Sequence, residues 1–134
     1  IIVDSKLSER TGFSNSRQVW RVVRQRVVDS CASVIDIDYL DASLVPQLNR
    51  SIAEYSIYDY IENQINLSIS HAFKEITIDN ATDQDKILID LGKDQHVVCV
   101  RSKVYLNNGK QFQFTESRHK LEKFKFVDYA KRHH

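Results

Sequence analysis

Methionine is absent from the 134 residues, proline occurs once, at Pro46, and glycine three times, at Gly12, Gly92 and Gly109. Three isolated glycines cannot build a GxxxxGKS loop or a GxGxxG turn, so folds that cradle phosphate with glycine-rich backbone N–H groups are excluded. A phosphate bound here must be held by arginine, lysine, hydroxyls or a helix N-terminus. A chain without methionine that opens on Ile1 also reads as a piece of a longer protein. Cys31 and Cys99 belong to no CxxC or Cys/His grouping and read as two buried, reduced thiols of a cytosolic protein. The five histidines are equally unpatterned, so neither a metal nor a cofactor is expected. No run approaches the roughly 18 apolar residues of a membrane span, and the N-terminus lacks the layout of a signal peptide. A soluble, cytoplasmic chain with no membrane partner is expected. No GxSxG elbow and no local Ser, His and acid signature offers a nucleophile.

Neither sign of charge dominates: 19 Lys and Arg stand against 18 Asp and Glu, a net of +1. Nucleic-acid-binding domains carry a larger basic surplus, so this polypeptide is not expected to grip DNA by itself. The balance is uneven, because residues 118–134 carry +4 and the preceding residues sum to −3. That basic end reads as a solvated surface or as the neighbourhood of an anionic partner. What the chain has in quantity is apolar sequence. At 42% hydrophobic residues it can bury the core of one domain without disulfides or metal.

Residues 19–28 (VWRVVRQRVV) and 32–40 (ASVIDIDYL) predict two strands joined by a turn at Asp29-Ser30. After a connector holding Pro46, Ser56 predicts the N-cap of a helix carrying Ile57, Ile61 and Ile65, with Asp59 completing a weak capping box. Residues 67–78 predict a strand, and Thr82 with Asp85 caps a short helix with Ile87, Leu88 and Leu91. Residues 96–106 and 111–117 flank Asn107-Asn108-Gly109, the strongest hairpin signal in the chain. The expected fold is α+β, a mainly antiparallel sheet with helices grouped on one side.

Period-2 alternation places Trp20, Val22, Arg24, Arg26 and Val28 on one face of the first strand. Side chains at i and i+2 lie about 7 Å apart, so two guanidiniums can converge on one phosphate or carboxylate. The alternative is that each bridges an acid on a neighbouring strand, such as Asp36 or Glu75. Asp36 and Asp38 alternate with Ile35 and Ile37 and point away from the isoleucine face, suiting sugar hydroxyls, arginine or water. Ser56 either simply caps its helix or, with arginines near, offers an anion site to which Tyr58 could add a phenolic donor. Phe112 and Phe114 read to one face of a late strand, and Gln113, Thr115 and Ser117 to the other, as a polar edge or a pocket wall.

Five blocks in order, VWRVVRQRVVD, IDIDYL, VPQL, SIYDYIE and FQFTESRHKLEKFKFVDYAKR, resemble the UTRA effector-binding domain of GntR-family (HutC-type) bacterial transcriptional regulators. The similarity runs over residues 19–132 and is closest to the branch that represses trehalose operons in Gram-positive bacteria. It implies a chorismate-lyase-like fold, a homodimer, no enzymatic activity and a phosphosugar effector, trehalose 6-phosphate in that branch. It also implies that DNA is met only through an N-terminal winged helix-turn-helix. Nothing here matches that half, so residues 1–134 are expected to be the UTRA domain alone. Carried over residue by residue, the resemblance puts Arg24 and Arg26 on the phosphate, with Ser56 and Tyr58 adding hydroxyls and the helix dipole. Asp36 falls on the sugar hydroxyls, and Gln113 and His119 stand on the sugar side where relatives carry Glu and Tyr. Two other readings stay open. One is an enzyme of the same fold whose arginines bind a carboxylate, with Asp36, Glu116 or His119 as acid or base; the other is a dimerisation module with a vestigial pocket.

Overall fold

The β-branched run VWRVVRQRVV forms β1 (Val19–Val28) and turns back into β2 (Cys31–Asp41) through Asp29 and Ser30. Both turn residues have positive φ, 52° and 62°, the backbone of a type I′ turn, whose twist matches that of the strands it joins. The computed structural model describes residues 1–55, 59–60 and 68–130. The expected helix start at Ser56 and Tyr58, with Ile57, Ile61 and Ile65, lies outside the described residues.

The remaining strands are β3 (Ile69–Asn80), β4 (His96–Leu106) and β5 (Gln111–Lys120). Gly109, at φ 82°, closes the β4–β5 hairpin at the predicted Asn-Asn-Gly. All pairings are antiparallel, in the order β1-β2-β5-β4-β3. The late strand β5 therefore inserts between the first hairpin and β4. That central position removes the reading of Gln113 as part of an exposed polar edge, and Gln113 is 1% exposed.

Among the described residues, three short α-helices accompany the sheet. The first, α1 (Ser5–Thr11), is capped by Asp4, whose carboxylate accepts from Leu7 N, and ends on Gly12 at φ 86°. In α3 (Asp83–Leu88), Thr82 and Asp85 form the predicted capping box. Between them in sequence lies α2 (Arg50–Tyr55), capped by Asn49 Oδ1 accepting from Ile52 N at 3.0 Å. A short helix thus occupies residues 50–55, where no periodic apolar pattern announces it.

The helices do not share one side. Leu7 of α1 and Leu88 of α3 pack on a cluster containing Ile35, Ile37, Tyr39, Val97, Cys99 and Phe114. On the opposite face, Ile52 of α2 packs with Leu40, Val104, Leu106 and Phe112. The split follows from apolar residues on both faces of β2, whose middle and end are buried almost throughout. Phe112 and Phe114 consequently part company. A bulge between Val104 and Tyr105 puts Phe112 out of alternation, so it joins the second cluster while Phe114 joins the first.

Candidate functional site

The face that carries α2 also carries the residues singled out on β1, β2 and β5. A cleft of about 870 Å³ opens between the outer part of the β1–β2 hairpin and α2, lined among others by Trp20, Val22, Arg24, Arg26, Asp36, Asn49, Ala53 and Glu54. Trp20 is fixed at one end by Nε1 donating to Val45 O at 2.9 Å. Val22 and Leu48 give the floor an apolar component.

Strand register determines the polar contacts. Arg24 lies opposite Asp36, yet its Nη2 reaches diagonally to Asp38 Oδ2 at 2.8 Å. Arg26, opposite Val34, likewise reaches diagonally and grips Asp36 with Nε at 2.7 Å and Nη2 at 3.2 Å. Each arginine therefore has its own carboxylate, the pairing that was the alternative to convergence on one anion. Across the next strand boundary, Ser117 Oγ donates to Asp36 Oδ1 at 2.6 Å and Gln113 Nε2 donates to Asp38 Oδ1 at 3.1 Å. Three strands thus contribute to one polar line whose partners are Arg24, Asp38 and Gln113 on one row and Arg26, Asp36 and Ser117 on the other.

Burial grades this line. The Arg26 side chain is 53% exposed and that of Arg24 38%, whereas Asp36 retains 14% and Asp38 5%. Burial pushes the Asp38 carboxyl above its ordinary value, against the opposing pull of the Arg24 guanidinium, and the neighbouring Asp36 charge adds to the rise. Arg24 is not saturated. Its Nε–H is buried with no hydrogen-bond partner among the described residues, and its Nη1 reaches Ala53 O of α2 only at 3.5 Å. A buried donor left unpaired is costly, so this N–H favours an acceptor entering the cleft.

His119 pairs with Val34 across the β2–β5 boundary and stacks edge-on against Phe124 at 5.2 Å. Burial holds its imidazole below the ordinary value; the Arg26 charge lowers it further, and Asp36 opposes the shift. The ring is therefore neutral near pH 7 and able both to donate and to accept. Of the residues singled out from sequence, the structure brings Arg24, Arg26, Asp36, Gln113 and His119 to one sheet face; Ser56 and Tyr58 lie outside the described residues. Asp38, read from alternation alongside Asp36 but given no role by the family resemblance, joins them through Arg24 and Gln113. Among the described residues no cluster of three or more potential metal ligands occurs, and no helix is long and apolar enough to cross a membrane.

The opposite face of the sheet holds a second charged cluster. Arg118 Nε and Nη2 donate to Asp85 at 2.7 and 2.8 Å, and its Nη1 donates to Glu116 at 2.9 Å. Glu116 also accepts from Arg10 of α1 and from Arg101 of β4. Arg118, Glu116 and Asp85 are all buried. Arg118 thus departs from the solvated basic surface expected of residues 118–134, and Glu116 is committed to three arginines, away from the cleft. Cys99 is buried nearby, and desolvation lifts its thiol to about 12, so it is inert. Cys31 is only half-buried, and both cysteines are free.

Comparison with known proteins bears on the family and the fold. The UTRA domain model matches residues 1–125. The HTH-type transcriptional regulator TreR of Bacillus subtilis is 47% identical over 114 residues, covering 85% of this chain and 48% of that protein. The HTH-type transcriptional repressor NagR of Bacillus subtilis is 26% identical over 133 residues, covering 98% of this chain and 55% of that protein. The chain therefore spans about half the length of these curated relatives. Among solved structures, the effector-binding domain of the B. subtilis trehalose repressor superimposes with a TM-score of 0.91 at 40% identity, covering 100% of this chain and 93% of that one. A GntR-family regulator from Bacillus cereus shares the fold at a TM-score of 0.87 and 23% identity, covering 98% of this chain and 92% of that one. With a family model spanning nearly the whole chain and a five-stranded antiparallel sheet of the matching fold, this chain is a member of the UTRA domain family.

Proposed function

We propose that the chain is the effector-sensing half of a bacterial repressor of trehalose utilisation and that its effector is a phosphosugar, trehalose 6-phosphate. The observation that carries this reading is the incompletely satisfied Arg24 beside Arg26 in a cleft of about 870 Å³, within the roughly 300–1,000 Å³ typical of small-molecule sites. Two guanidiniums on one strand face supply planar donors that match phosphate oxygens. Ser56 and Tyr58 are assigned additional hydroxyl donors to the same phosphate.

The sugar end falls to the other row of side chains. Asp36 and Gln113 offer an acceptor and an amide, and neutral His119 offers one of each. The trehalose assignment draws on the 47% identical regulator and on the 40% identical repressor domain. Recognition of this kind is binding, with no bond made or broken, which agrees with relatives that are regulators.

In the full protein, DNA is contacted by an N-terminal winged helix-turn-helix, and the sensing half forms a homodimer. The sheet supports dimerisation by a second copy: β3 ends it, and Phe73, Ile76 and Ile78 on that strand are 68%, 46% and 70% exposed. Effector binding changes DNA affinity only through different affinities for the two dimer states, a coupling of about 1–3 kcal/mol being typical. A thermal-shift panel of trehalose 6-phosphate, trehalose, glucose 6-phosphate and N-acetylglucosamine 6-phosphate tests the assignment. Stabilisation by the first alone is expected. Equal stabilisation by all three phosphates, or by none, contradicts it.

A further inference from the structure

Resting on the phosphosugar reading, one contact goes further than a list of binding residues. Asp38 is buried in the second strand of the sheet, and its carboxylate has two partners: Oδ2 accepts from Arg24 and Oδ1 from Gln113. Its partner Arg24 is far more exposed and carries an Nε–H with no hydrogen-bond partner among the described residues. The rigid member of the pair is thus the acid, and the movable member is the arginine that faces the cleft.

We propose that Asp38 is a resident counter-ion of Arg24 which an entering phosphate displaces, and that the freed carboxylate, still held by Gln113, then takes a hydroxyl of the same ligand. A phosphate presents more charge and more acceptor oxygens than a carboxylate, so it competes effectively for the guanidinium. Displacement leaves Asp38 as a buried carboxylate short of a donor, a costly state. A sugar hydroxyl removes that cost; bare phosphate does not. Conversely, a sugar without phosphate meets an Asp38 already occupied by Arg24. The site therefore requires phosphate and hydroxyls together, and the discrimination lies in Asp38, not only in the residues that touch the phosphate.

The probes are inorganic phosphate, trehalose and trehalose 6-phosphate, measured by calorimetry on the chain as it stands. In Asp38→Asn, inorganic phosphate binds about tenfold more tightly than in the unaltered protein, because its competitor is gone. The advantage of trehalose 6-phosphate over inorganic phosphate shrinks by a similar factor, about tenfold. A second measurement needs no variant: trehalose binds the unaltered protein more tightly in saturating inorganic phosphate than without it. Phosphate affinity unchanged or weakened in a folded Asp38→Asn, or trehalose binding independent of phosphate, overturns the proposal. Arg24→Ala and Arg26→Ala separate the two levels. Loss of trehalose 6-phosphate binding in both, with Asp38→Asn inert, refutes the Asp38 role alone; full binding in both refutes the phosphosugar reading and the Asp38 role with it.

Discussion

Arg118→Met isolates the energetic weight of the charged cluster beneath α1 and α3. Arg118 is 6% exposed, Glu116 and Asp85 are 0% exposed, and the guanidinium donates to both acids. Methionine keeps much of the aliphatic volume and supplies no donor. Glu116 retains Arg10 and Arg101, so the loss falls on Asp85, which among the described residues keeps its Thr82 cap. Breaking a buried ion pair by removing one partner costs about 3–5 kcal/mol. The partial compensation at Glu116 places this case near the lower figure, about 3 kcal/mol. Domains of this size have total stabilities of roughly 5–15 kcal/mol, so the variant folds but is weakened. In urea the expected midpoint shift is about 2 M, taking a slope in the usual range. The double variant Arg118→Met/Asp85→Asn is expected to cost less than the sum of the single variants, since the second change removes the stranded charge. A single-variant cost below about 1 kcal/mol, or strict additivity, refutes the reasoning.

Three further outcomes follow from individual side chains. Hydrogen bonds from Arg101 and Thr77 hold the Asp79 carboxyl down at about 2 against an ordinary 3.8. Its contribution to stability is therefore complete above the unfolded value and is lost as pH falls from near 3.8 through about 2; thermal midpoints across that window drop less in Arg101→Ala than in the unaltered chain. The imidazole of His119 is held low by burial and then by Arg26, so Arg26→Ala raises its titration midpoint in NMR, and an unchanged midpoint contradicts the placement of the two side chains. At the β1–β2 turn, Ser30 holds φ at 62°, and Ser30→Gly relieves it with a gain of about 0.5–1 kcal/mol in chemical denaturation; a loss there contradicts the turn assignment.

Much of the sheet was legible because its hairpins announce themselves locally. Asn107-Asn108-Gly109 and the β-branched runs on either side of Asp29-Ser30 set turn and strand together, and the Thr82/Asp85 capping box marks α3. Helices α1 and α2 escaped because seven and six residues are too short to display a period. The bulge beside Tyr105 carries no glycine, so nothing in the sequence signals that Phe112 leaves its alternating face. Arg118 read as surface charge because the acid it grips with two nitrogens, Asp85, comes from the start of α3, 33 residues away. Likewise Arg24 and Arg26 were legible as a pair, but the diagonal reach that gives each its own carboxylate depends on strand register, which alternation alone does not provide.

The claim that Arg24 and Arg26 make this cleft a phosphosugar sensor is tested most directly by calorimetric titration of trehalose 6-phosphate into the unaltered chain, Arg24→Ala and Arg26→Ala. Saturable binding to the unaltered chain and its loss in both variants is the expected result. Undiminished binding by the two variants contradicts the account.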